Sequence, residues 1–163
     1  MVNAPQYVDV AERSLAAGGY ATARYDLAGW QSAVGYRADF RVRWMATKLH
    51  LFVCVSSAPV ATAEALIAFT HASLEYAKQA KGQARGFQSG VAVISVLAAD
   101  HVDPSGEAYA RKQLVRDFAA FAWPVAVDVS TGQRFSHDGR PALGAIYNGW
   151  MRKQVAVAAP PVA

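Results

Sequence analysis

Charged and apolar residues alternate strictly from Tyr36 to Trp44, and this is the clearest pattern in the chain. Successive side chains of a β-strand point to opposite faces, so the pattern predicts one strand with two unlike sides. One side carries Arg37, Asp39, Arg41 and Arg43, and the other carries Tyr36, Ala38, Phe40, Val42 and Trp44. The strand, expected over residues 35–45, would bury its apolar side and present three arginines on the other.

Two nearly continuous apolar runs, at 49–57 and 89–98, predict strands that are buried on both faces. Only residues 46–48 separate the first run from the arginine strand, so the two should form an antiparallel hairpin. Helical spacing of apolar residues over 59–81 predicts a long helix between the two buried strands. A strand, a helix and a strand in this order predict a parallel βαβ crossover.

The remaining segments predict shorter elements. A helix capped by Asn3 should end at Gly18, a strand should cover 20–27, and 29–35 should form a loop. A long strand over 118–129 contains Pro124, which cannot donate to a ladder, so this strand should be bulged or lie at an edge. A short strand at 134–136 and a helix over 142–157 follow.

Together these elements predict a single α+β domain covering residues 1–163. We expect a mixed sheet of about five strands, with an antiparallel hairpin, one βαβ crossover and a C-terminal helix. Residues 158–163 are expected to form a frayed tail.

Composition adds an expectation about assembly and location. Hydrophobic residues make up 53% of the chain and charged residues only 17%, so surplus apolar surface would point to a homo-oligomer. No run approaches the roughly 18 apolar residues of a membrane span. The start of the chain has no basic and apolar signal pattern. A soluble, cytoplasmic protein that does not bind membranes is therefore expected.

Net positive charge is confined to one third of the chain. The formal charge is +4, and six basic against two acidic residues between Phe40 and Ala99 carry the whole excess. This bias predicts attraction for an anionic partner, which could be a protein, a nucleic acid or an acidic ligand. A dedicated nucleic-acid-binding domain usually has denser clusters of lysine and arginine.

The arginine strand is the first candidate binding surface. Arg37, Arg41 and Arg43 could hold a phosphate or carboxylate, and Arg85 in the glycine-rich segment 83–90 could join them. That segment runs from a helix into a strand, which is the wrong direction for a phosphate loop of the Walker type. The alternatives are a solvated sheet face or a face covered by a partner subunit.

A second set of residues could support catalysis at strand ends. Histidines and carboxylates are the material of a general-base or metal site, and they follow predicted strands here. The set comprises Asp100, His101, Asp103, Asp128 and His137. Their spacing matches no metal signature, and aspartate before proline or glycine is ordinary turn chemistry. If these residues are catalytic, the protein would be a small hydrolase, with or without a metal ion, and this is an alternative function.

Cys54 and His50 lie on one face of a strand, but four residues of strand separate them by roughly 13 Å. Cys54 is therefore expected to be an inert core residue. With no convergent catalytic set, no cofactor and no metal are expected, and the sequence leans against an enzyme. The leading hypothesis is a non-catalytic binding or assembly module with a basic sheet face, and weak nucleic-acid binding is a further alternative.

Overall fold

A computed structural model of the chain describes residues 1–41, 47–81, 89–117, 120–139 and 148–162. Four helices are described: α1 (Ala4–Ala17), α2 (Ala63–Lys81), α3 (Pro104–Lys112) and α4 (Asn148–Ala158). The first four strands are β1 (Ala21–Leu27), β2 (Trp30–Arg41), β3 (Thr47–Ala61) and β4 (Ser89–Val102). Three shorter strands follow: β5 (Val115–Asp117), β6 (Ala120–Asp128) and β7 (Arg134–Phe135).

The strands form one mixed sheet in the order β1-β2-β3-β4-β6-β5, with β7 also paired to β6. β1, β2 and β3 are antiparallel neighbours, and Tyr36 of β2 lies opposite Phe52 of β3. β3, β4 and β6 are parallel to one another. The predicted α+β domain, its antiparallel hairpin, its β3-α2-β4 crossover and its C-terminal helix are thus confirmed.

Helices cover both faces of the sheet, and a hydrophobic core lies on each side. Side chains of α1 and α4 share one core with odd-numbered residues of β3, such as Leu51 and Val53. Side chains of α2 and α3 share the other core with even-numbered residues, such as Phe52 and Cys54. All nine residues of β6 are buried, which is typical of a parallel strand between two helical layers.

Several predicted boundaries were wrong. The sheet has seven strands rather than about five, and the predicted loop 29–35 lies almost entirely in β2, which begins at Trp30. The turn before it places Ala28 and Gly29 at φ values of 53° and 93°. Such a tight left-handed turn needs only two residues, so the strand starts earlier than glycine spacing suggests.

Two further boundaries differ for reasons of pairing. Pro59 belongs to β3, which pairs with β4 up to Ala61, so α2 begins only at Ala63. The predicted strand 118–129 is represented by β6, preceded by the separate strand β5. β5 pairs with residues 120–122 of β6 and β7 with residues 126–127. Pro124 therefore lies between them, where no described strand needs its missing N–H, as expected for an edge position.

The expected frayed tail is packed where the structure describes it. Ala158 and Ala159 are buried, and the Tyr7 hydroxyl donates to the carbonyl of Pro160 at 2.6 Å. Arg134 donates to the carbonyl of Ala159 at 2.7 Å. These bonds tie the end of α4 to α1 and β7. Among the described residues, no helix is long and apolar enough to cross a membrane.

Two helical glycines differ in the space around them, and substituting each by alanine tests the packing of the helices. A Cβ on Gly106 in α3 would overlap the carbonyl oxygen of Ala61, whereas a Cβ on Gly149 in α4 would meet no atom of the described residues within 4 Å. We expect Gly106→Ala to destabilise the protein by about 1–3 kcal/mol, because backbone must move. Gly149→Ala should stabilise it by about 0.5 kcal/mol through helix propensity.

Urea unfolding followed by circular dichroism measures both changes. The matched pair controls for the chemical nature of the substitution, since each adds one methyl group to a helix. If Gly106→Ala left the midpoint unchanged or raised it, the close approach of α3 to the end of β3 would be contradicted.

Candidate functional site

Arg37 is held within the chain rather than presented to solvent. Its guanidinium makes two hydrogen bonds to Asp39, at 2.7 and 3.1 Å, a bidentate geometry that carboxylates favour. It also lies 5.4 Å from the ring centroid of Tyr20 and 5.8 Å from that of Trp150 in α4. Only 28% of the Arg37 side chain is exposed. The hydrogen bond to Asp39 is the main cause of its raised pKa.

Helix α4 and Tyr20 therefore cover this part of the arginine face. Neither a fully solvated face nor a partner subunit is needed to explain the position of Arg37. Arg41 is paired with Thr47 in the backbone register, but its side chain lies outside the described residues, as do Arg43 and Arg85 in full. An anion-binding role for the four arginines stays a prediction.

The opposite face of the same two strands carries an aromatic pair, of which His50 is buried and Tyr36 partly buried. The Tyr36 hydroxyl lies 2.8 Å from Nδ1 of His50, and their rings are nearly parallel. His50 is only 6% exposed. Burial, and then the charges of Lys81 and Lys48, lower the pKa of His50, so the imidazole is neutral at pH 7.

Two lysines lie near this pair, and no carboxylate of the described residues is paired with either of them. The ammonium of Lys81, at the end of α2, lies 4.3 Å from the ring centroid of Tyr36, within the range of a cation–π contact. Lys48 is exposed at the start of β3. Among the residues that the structure describes, neither lysine forms an ion pair with Asp or Glu, although Arg24, Arg37, Lys78 and Arg111 all do. We call Tyr36, Lys48, His50 and Lys81 the basic cluster.

Sequence reasoning missed the basic cluster because it considered His50 only as a partner for Cys54. Part of the signal was present, because Lys48, His50 and Phe52 alternate along β3. The register that places Tyr36 opposite Phe52 is seen only in the structure. Cys54 is fully buried, and burial raises the pKa of its thiol to about 12, which fits an unreactive core residue.

Asp128, a catalytic candidate, instead joins the ends of two parallel strands. Its Oδ1 accepts from the backbone N–H groups of Ser130 and Thr131, both at 3.0 Å, and from the Ser130 hydroxyl at 2.6 Å. Its Oδ2 accepts from the N–H of Val102 at 3.0 Å. Burial alone would raise the pKa of Asp128, but these hydrogen bonds outweigh it and lower the pKa.

The structure brings His101 and Asp103 near Asp128 but gives each a different environment. Nδ1 of His101 lies 3.5 Å from Asp128 Oδ2, and the His101 side chain is 63% exposed. Asp103 caps α3, where its carboxylate accepts from the N–H of Gly106 at 2.9 Å and the Ser105 hydroxyl at 2.7 Å. Most acceptor positions of both aspartates are thus used within the chain.

Asp100 and His137 do not join them. Asp100 accepts a long hydrogen bond of 3.4 Å from the N–H of Ala4 in α1. His137 follows β7 and packs its ring edge against Trp123, while its Nδ1 accepts from the N–H of Gly139 at 3.2 Å. Because β7 runs back along β6, His137 lies level with Trp123, roughly 15 Å from Asp128 along that strand.

Within the described part of the chain, no group of three or more His, Cys, Asp or Glu side chains could hold a metal ion. Comparison with protein-family models, with curated proteins and with solved structures finds no match to this chain. Function must therefore be inferred from the geometry of the chain itself.

The hydrogen bonds of Asp128 predict that the stability of the protein depends on pH. The native pKa of Asp128 lies below its ordinary value of about 3.9, so its ionised form stabilises the native state above that pH. This stabilisation is lost as the pH falls through the native pKa. At pH 7, Asp128→Asn should cost about 2 kcal/mol, since an amide N–H would face the N–H of Val102.

The cost of Asp128→Asn should shrink as the pH falls below about 3.9, because the carboxylate of the unfolded chain takes up a proton before the native one does. Urea unfolding at pH 7 and pH 3 measures this difference. Asp138→Asn is the matched control, because the Asp138 side chain is 69% exposed, and it should change stability by less than about 0.5 kcal/mol. An equal cost of Asp128→Asn at both pH values would rule out the charge as its cause.

Proposed function

We propose that the chain is a non-catalytic binding module that uses the basic cluster to hold an anionic partner. The observation that carries this proposal is that Lys48 and Lys81, which form no ion pair within the described residues, lie beside a buried neutral His50. A cation that lacks a carboxylate within its own chain can gain a charge-assisted contact on binding. Arg37 would gain less, because Asp39 already occupies its guanidinium.

The position of the basic cluster supports the same proposal. Lys48 lies at the start of β3 and Lys81 at the end of α2, next to the segments that contain Arg43 and Arg85 in sequence. The excess positive charge of the chain is thus concentrated in residues that adjoin the cluster. A surface of one sign attracts an oppositely charged partner and speeds its association.

The partner can be an acidic protein, a nucleic acid or a small acidic ligand, and binding by each has a distinct signature. Binding to a single-stranded oligonucleotide should weaken with salt at a slope of about −0.7 per phosphate contacted. A polyglutamate chain tests for an acidic protein, and inorganic phosphate tests for a small anion. A hydrolase is the less supported function, because Asp103 and Asp128 already use their carboxylates in capping and turn contacts.

The test compares the double variant Lys48→Gln/Lys81→Gln with the control Lys112→Gln/Lys153→Gln. Lys112 and Lys153 are exposed and lie on α3 and α4. Each double variant removes two positive charges, so the two variants lose the same net charge. We expect only the first to flatten the salt slope on the oligonucleotide, by about 1.4, corresponding to two contacts. Fluorescence anisotropy across a salt series measures the slope.

Equal losses in the two double variants would show that net charge alone drives binding and would contradict the site. Binding that does not depend on salt concentration would contradict the proposed function, and so would the absence of binding to all three probes. Arg43→Gln and Arg85→Gln, measured in the same assay, would show whether the predicted arginines contribute.

We also propose that the module is a cytoplasmic homo-oligomer. Exposed apolar side chains support this: Tyr25 is 47% exposed, Val60 42% and Ile67 49%. Single exposed apolar side chains are also common on monomeric proteins. The proposal is therefore tested by measuring the molar mass of the protein in solution. Light scattering of the full chain at micromolar concentration should give a multiple of 17.4 kDa, and a monomer across that range would contradict it.

A further inference from the structure

The two edges of the sheet are protected very differently. One edge ends in β5 and β7, which have three and two residues, and Pro124 lies between them on β6. Short strands and proline are devices that prevent an edge from pairing with another chain. The other edge is β1, which has seven residues, is paired with β2 without a bulge and contains neither proline nor lysine.

β1 is also amphipathic, and its apolar side is uncovered. Ala21, Ala23 and Tyr25 lie on the face that α2 covers elsewhere, yet all three are exposed. Tyr25 touches only the rim of that layer, with its ring centroid 5.5 Å from that of Tyr76. In the described residues, no strand lies beyond β1, so its outer backbone groups have no ladder partner.

The positive charge of β1, which could keep another strand from pairing with this edge, is neutralised within the chain. Arg24 is the only cation of β1, and its guanidinium bonds to Glu12 at 2.7 Å and Asp9 at 2.6 Å on α1. These carboxylates turn Arg24 toward α1 and away from the apolar side. The remaining charge of β1, Asp26, lies near the end of the strand and accepts hydrogen bonds from the N–H of Gly29 and the side-chain amide of Gln31. Over residues 21–25, an approaching strand would therefore meet small and aromatic side chains on the apolar side.

We propose that β1 pairs antiparallel with β1 of a second copy of this chain, joining the two sheets into one. This rests on the homo-oligomer part of the proposed function and names its surface. A two-fold axis perpendicular to the sheet makes the interface isologous, because each copy offers the same donors and acceptors. The occupant is a second copy because the sequence of β1 is complementary to itself in this arrangement.

The complementarity selects a register. Pairing centred on Ala23 places Ala21 opposite Tyr25 of the other copy, a small residue against a large one, and Thr22 opposite Arg24. Pairing centred on Arg24 would oppose two arginines, which is unfavourable. The register centred on Ala23 therefore brings the two Ala23 Cα atoms to about 4.5–5.5 Å, a separation that a disulfide can span.

The experiment uses cysteine and lysine substitutions in the full chain. Ala23→Cys should form a covalent dimer under mild oxidation, whereas Ala156→Cys, on the exposed side of α4, should not. The native Cys54 is buried and should not interfere. Ala23→Lys places like charges opposite each other and should weaken the dimer about tenfold or more, while Ala156→Lys should leave its dissociation constant unchanged.

Sedimentation equilibrium gives the dissociation constants, and circular dichroism confirms that each variant is folded. A monomeric parent chain would overturn both the oligomer and this interface. A dimer that survives Ala23→Lys and gives no Ala23→Cys cross-link would overturn the β1 interface alone, leaving another surface to hold the copies together. Anion binding through the basic cluster is unaffected by either outcome.

Discussion

Burial of both faces of three parallel strands is the constraint on which the rest of this structure depends. Apolar residues predominate in β3, β4 and β6, and their side chains fill two cores. Strands of this kind need helices on both faces, because each exposed apolar face would cost free energy in water. α1 and α4 cover one face, and α2 and α3 cover the other. The aspartate, histidine and lysine side chains of these three strands lie near the strand ends.

The central part of the fold could be predicted from the sequence because long apolar runs have few structural solutions. The runs at 49–57 and 89–98, with a periodic helix between them, gave the parallel crossover. The outer strands were harder, since β5 and β7 are too short to show a pattern and exist through pairing with β6. The start of β2 was missed because Gly29 and Gly35 suggested a loop, although Gly35 packs within β2 against Leu15 and Tyr20.

The sequence predicted the segment that carries the excess positive charge, but it did not predict which residues form the candidate site. Alternation along β2 correctly separates Arg37 and Asp39 from Tyr36, because side-chain direction is a local property of a strand. Which layer covers each side is a tertiary property, and one strand cannot reveal it. Tyr20 and Trp150 come from distant parts of the chain, and they cover Arg37 by contacts that no local pattern encodes. The basic cluster needed three elements, β2, β3 and α2, to be placed together before it could be recognised.

Polar groups that are satisfied within the chain have little to gain from a partner, and this separates structural residues from candidate binding residues. Asp128 uses its carboxylate to join β4 and β6, and Arg37 is matched by Asp39. Replacing such bonds by equivalent ones to a ligand gives almost no net free energy, since the original partners must be desolvated or left unpaired. Within the described residues, Lys48 and Lys81 form no ion pair with a carboxylate, and the outer backbone groups of β1 have no ladder partner. Binding at either place would therefore add contacts without breaking an ion pair or a ladder hydrogen bond that the structure describes.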